Sequence, residues 1–147
     1  MKSDQAIQTV EISTIAHATD DLDKVQTAVT RLFPDTLKGR QLFTRRYLEG
    51  HYGNPIITFE ARLTKQSEVG EFATFFLNQL SSKDKLAIQR DVRLCSDADG
   101  NLYIRIDKQQ ISRGIIQLGE EDPIRVRMKF TSFTGQATDQ MIKYLGG

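Results

Sequence analysis

The stretch Ile124-Arg125-Val126-Arg127-Met128-Lys129-Phe130 decides how this chain is read. Successive side chains of a β-strand point to opposite faces, so this run separates an apolar face (Ile124, Val126, Met128, Phe130) from a cationic one (Arg125, Arg127, Lys129). A strand with one apolar and one charged face belongs to an antiparallel sheet that is solvated on one side. The alternation runs on towards Phe133, and Thr134 can cap a C-terminal helix carrying Ala137, Met141, Ile142 and Leu145.

Moving towards the N-terminus, Leu102, Ile104 and Ile106 oppose Tyr103, Arg105 and Asp107. With Val92 to Ser96 they predict a hairpin turned at Asp97-Ala98-Asp99-Gly100, where Gly100 supplies positive φ, and Leu94 opposes Arg93 and Cys95. Lys108 to Gly119 reads as a short helical turn followed by a brief strand at Ile115 to Leu118. A second hairpin is expected from Leu42 to Leu48 and Ile56 to Leu63, joined by the turn-rich loop Glu49 to Ile56. Ala6 to His17 predicts a half-buried first strand. Helical spacing places Leu22, Val25, Ala28, Val29, Leu32 and Phe33 on one stripe after a cap at Thr19 or Asp20, with a stop at Pro34. Ser67 is expected to cap a second helix with the stripe Val69, Phe72, Ala73, Phe76, Leu77 and Leu80, and Ser81 a third, through Leu86 to Arg90. Hairpins outnumber strand–helix–strand crossovers, which predicts an α+β fold, a mostly antiparallel sheet with helices packed on one face.

At 147 residues, with 39% hydrophobic and 27% charged side chains, the chain reads as a single folded domain spanning 1–147 and ordered from about residue 6 to residue 145. One cysteine, Cys95, leaves no intramolecular disulfide and no cysteine-based zinc site. With no leader-like start and no run of ~20 apolar residues, a cytoplasmic protein without a membrane partner is expected. His17 and His51 are the two imidazoles, and no nucleophile motif, metal-ligand spacing or phosphate-cradling glycine loop accompanies them, so no catalytic residue, metal or cofactor is expected. An enzyme using His17 or His51 with Asp107 is the reserve reading. Asp97, Asp99 and Gly100 resemble a calcium loop, but the glycine comes one position early and no closing glutamate follows.

Net charge is +1, yet the strands carry Arg45, Arg46, Arg62, Lys65, Arg93, Arg105, Arg125, Arg127 and Lys129 against Glu11, Glu60 and Asp107. The acids collect elsewhere, at Asp20-Asp21, Asp97, Asp99 and Glu120-Glu121-Asp122. A positive sheet face rich in arginine suits phosphate, because guanidinium presents parallel donors to its oxygens. The same residues are what any solvated sheet face carries, and spacing alone leaves both readings open. His51 and Tyr52, in the loop Glu49 to Ile56, add donors and ring faces that can meet a ribose or a base.

Phe33-Pro34 after His17-Ala18-Thr19-Asp20-Asp21, the Glu49 to Ile56 segment, Leu80 to Lys85, Asp97 to Gln109 and Asp122 to Val126 together resemble a family of small archaeal RNA-binding proteins. Its members are also described as predicted exosome subunits with a fold like the double-stranded-RNA-binding domain. The resemblance spans His17 to Phe133 and implies an RNA-binding α+β module linked to RNA processing or to the exosome. It supplies no catalytic residues. Combined with the charge pattern, it gives Arg46, Arg62, Arg93, Arg105, Arg125, Arg127, Lys129, His51 and Tyr52 as candidate RNA contacts. The rival is a scaffolding subunit whose arginine face or open sheet edge docks on an RNA-processing complex or on a second copy, as a homodimer.

Overall fold

The computed structural model describes residues 6–17, 19–39, 42–50, 53–131 and 137–146. In chain order the elements are β1 (Ile7–His17), α1 (Leu22–Thr30), α2 (Asp35–Lys38), β2 (Thr44–Glu49), β3 (Pro55–Leu63), α3 (Gln66–Gln79), α4 (Ser82–Arg90), β4 (Asn101–Ile106), α5 (Lys108–Ile111), β5 (Ile124–Phe130) and α6 (Ala137–Gly146). The five strands form one sheet in the order β2-β3-β1-β5-β4, and every neighbouring pair is antiparallel. The fold is α+β, as the alternation predicts.

Period-two burial orients the sheet. Val10, Ile12, Thr14 and Ala16 of β1, Ile57, Phe59, Ala61 and Leu63 of β3, Leu102, Ile104 and Ile106 of β4, and the four apolar residues of β5 are all buried. All but Thr14, whose hydroxyl donates to the Pro123 carbonyl, meet the stripe Val69, Phe72, Ala73, Phe76 and Leu77 of α3 and Ala28 and Val29 of α1 in one cluster. Phe72 stacks on Phe76 at 5.4 Å between ring centres, and Phe33 leans on Phe72 at 5.1 Å. Each such side chain contributes roughly 1.5–3 kcal/mol by leaving water. Surface ion pairs contribute about 0–1 kcal/mol each. The helix side therefore carries the stability, and the other face is free to carry charge.

Local chemistry sets the element ends. Asp21 caps α1, one residue later than expected, by accepting from the N–H groups of Asp23 and Lys24, while Asp20 folds back to accept from the backbone N–H of His17 at 2.9 Å. Ser81 caps α4 as expected, accepting from the Asp84 N–H at 3.0 Å. Ser67 does not cap α3: the helix begins at Gln66 behind Lys65, without a side-chain cap. The expected cap at Thr134 lies outside the described residues.

The expected strand at Val92 to Ser96 does not form. The Asp91 carbonyl accepts from Leu94 and Cys95, so helical turns run on past α4, bury Val92 and leave Leu94 86% exposed. Of the expected strand pairing with β4, an isolated bridge from Ser96 to Leu102 is what forms among the described residues. The brief strand expected at Ile115 to Leu118 is likewise a lone bridge, Leu118 to Ile106. Gly100 does take positive φ, at 91°, in the turn before β4.

Candidate nucleic-acid interface

Register brings the outward-facing strand residues into rows that no single strand contains. One row runs Arg62, Glu11, Arg127, Tyr103 across β3, β1, β5 and β4. The next runs Thr44, Glu60, Ser13, Arg125, Arg105 from β2 to β4. Arg46, Thr58 and Ile15 form a third on one side, and Thr9, Lys129 and Asn101 a fourth on the other. Apart from Arg105, the first two rows line a depression of about 720 Å³ on the sheet face, with Arg46 on its wall.

Six expected contacts thus share one face: Arg46, Arg62, Arg105, Arg125, Arg127 and Lys129. They are partly neutralised. Glu11 faces Arg127 Nη2 with Oε1 at 2.6 Å and Arg62 Nε with Oε2 at 3.5 Å. Glu60 pairs with Arg46 at 3.4 Å, and Glu120, from the loop after α5, pairs with Arg105 at 3.5 Å. Arg125 and Lys129 have no ion pair among the described residues. Six cations against Glu11, Glu60 and Glu120 leave the face positive by three charges, where the whole chain stands at +1.

Tyr103 borders this face and is held by the turn that precedes β4. Its hydroxyl donates to Asp97 Oδ2 at 2.8 Å, and that bond is the main reason its own pKa is raised. Burial works to raise the Asp97 carboxyl, but the N–H groups of Asn101 and Asp99, the Asn101 amide and the Tyr103 hydroxyl outweigh it and hold the pKa at about 2. The calcium-loop likeness dissolves here, because the Asp97 carboxylate is spent on fastening the turn. No cluster of three or more metal-ligating side chains occurs among the described residues.

Not every expected contact, nor every cation counted on the strands, reaches the face. Arg93 stands in the turn after α4, outside the five strands, for the helical reason given above. Lys65 precedes α3. Arg45 points to the helix side: it hydrogen-bonds Gln26 at 3.0 and 3.2 Å and lies over the Phe59 ring at 5.1 Å. His51 and Tyr52 lie outside the described residues. Asp107, paired with a histidine in the reserve enzymatic reading, caps α5 by accepting from the Gln110 N–H at 3.0 Å. Burial raises the Cys95 thiol, with Asp91 adding to the effect, which makes it a poor nucleophile. No helix among the described residues is long and apolar enough to cross a membrane.

What the charge count misses is the position of the acids. Glu11 stands between two arginines of the central row, and the signal for it, an outward glutamate in the alternating first strand, becomes meaningful only once β1 is known to lie between β3 and β5.

A family model described as RNA binding matches residues 9–130. The RNA-binding protein PAB1135 of Pyrococcus abyssi is 32% identical over 126 residues, covering 84% of this chain and 82% of its own length. The uncharacterised protein MJ0213 of Methanocaldococcus jannaschii is 26% identical, with 93% of each chain covered. The crystal structure of AF2318 from Archaeoglobus fulgidus, 31% identical, superposes with a TM-score of 0.79 over 94% of this chain and 96% of its own. Matched in sequence across all five strands but the first two residues of β1, the chain belongs to this RNA-binding family.

Proposed function

We propose that the protein binds structured RNA by its phosphate backbone through the outer face of the sheet, and serves as a non-catalytic accessory of RNA processing. Arg46, Arg62, Arg105, Arg125, Arg127 and Lys129 supply the cations, and the exposed Tyr103 ring supplies a stacking surface at the rim. The observation that carries this reading is the gathering of those six cations, from four strands, on the sheet face opposite the helices, with Arg46, Arg62, Arg125 and Arg127 lining one depression there. The family match supports RNA as the polyanion. A link to the exosome rests on the family resemblance alone.

The test is electrostatic. If about four phosphates are engaged, log affinity for a double-stranded RNA falls against log salt concentration with a slope of roughly −3 to −4. Binding titrations at low and moderate salt check this, and a flat response removes the proposal.

A second reading has its own observation. β2 is an edge strand whose Tyr47 and Leu48 are 66% and 51% exposed, and such an edge can accept a protein strand. A scaffolding role would give a pull-down partner that survives nuclease treatment. Loss of the partner with the RNA would count against it.

A further inference from the structure

We propose that Glu11 is the resident anion of a phosphodiester site, holding the place between Arg62 and Arg127 that an RNA phosphate takes on binding. The inference rests on the reading of the outer sheet face as the RNA surface. Arg62 and Arg127 sit on strands either side of β1, two strand spacings apart, or about 9.6 Å. Glu11 spans that gap with one carboxylate oxygen towards each guanidinium. A phosphodiester offers the same pattern, one negative charge shared by two non-bridging oxygens. The site is therefore already shaped for it.

The neighbours favour exchange. Arg125 lies two residues along β5 on the same face, carries no ion pair among the described residues, and gives an incoming phosphate a first contact. Glu11 and Arg127 are half-buried but still reached by solvent, and Arg62 is exposed, so a polyanion that meets Arg125 can compete with the carboxylate for Arg127 and Arg62. Glu11 then acts as an internal competitor that lowers affinity and sets a threshold for binding.

The experiment compares wild type, Glu11→Gln, Glu11→Asp and Glu120→Gln against a labelled RNA duplex of about 20 base pairs, a length sufficient for two successive minor grooves. Glu11→Gln is expected to tighten binding about tenfold, between the roughly fourfold that one like charge at about 5 Å gives in bulk water and the larger effect of a lower dielectric. Glu11→Asp, which keeps the charge but shortens the reach, should fall between. Glu120→Gln removes the same charge from beside Arg105 at the rim and should tighten binding clearly less than Glu11→Gln. Equal gains for Glu11→Gln and Glu120→Gln would reduce the effect to net charge and overturn the inference. So would weaker binding by Glu11→Gln, which would make Glu11 a positioning residue for the arginines. If the duplex binds wild type and Glu11→Gln with equal affinity, the inference alone fails; if neither wild type nor variant binds, the RNA face itself is refuted.

Discussion

Arg125 and Arg127 are two residues apart on one strand and differ in what surrounds them. Arg127 shares Glu11 with Arg62, whereas Arg125 has no ion pair among the described residues. Arg125→Ala should therefore weaken RNA binding by roughly threefold to tenfold and lower the magnitude of the salt slope by about one. The same change should leave thermal stability within about 0.5 kcal/mol of wild type, because the side chain is exposed and holds nothing in place. Isotherms at several salt concentrations beside a melting curve check both halves. At this scale the sequence was a partial guide. Alternation told which way Arg125, Arg127 and Lys129 point, since that follows from strand geometry alone. It could not tell which of Arg45 and Arg46, adjacent in the same strand and so on opposite sides, turns to the helices to lie over Phe59, because the strand is exposed at nearly every position and shows no clean apolar face.

The elements show where local chemistry decides and where packing does. The stripe of α3 was readable because Val69, Phe72, Ala73, Phe76 and Leu77 recur at helical spacing and all become buried. The run Val92 to Ser96 misled because its β-like composition is overridden by carbonyls at the end of α4, which draw it into further helical turns. The turn before β4 depends on a single carboxylate, and this gives a pH prediction. Asp97 has a folded-state pKa of about 2, below the unfolded value near 3.9. Its hydrogen bonds stabilise the fold fully above that unfolded value, and the contribution is lost as pH falls through the folded value. Asp97→Asn should thus be less stable than wild type at pH about 6, by on the order of 1 kcal/mol once screening of this exposed group is allowed for, with the gap closing towards pH 2. Urea denaturation across that range checks it, and a gap independent of pH would mean that the carboxylate charge plays no part.

For the molecule as a whole, a net charge of +1 conceals a strongly sided distribution. The sheet has one face committed to the core and another where six cations meet three carboxylates. Strand order, which no single strand encodes, is what sets Glu11 between two arginines and surrounds the depression with residues from β1 to β5. The central claim is that RNA lies on this face. Its most direct test is to follow backbone amide signals during titration with a short RNA duplex. The strongest shifts are expected at Glu11, Ser13, Arg62, Tyr103, Arg125 and Arg127, on four neighbouring strands. Shifts confined to α1, α3 and α4, with the sheet rows unmoved, would contradict it.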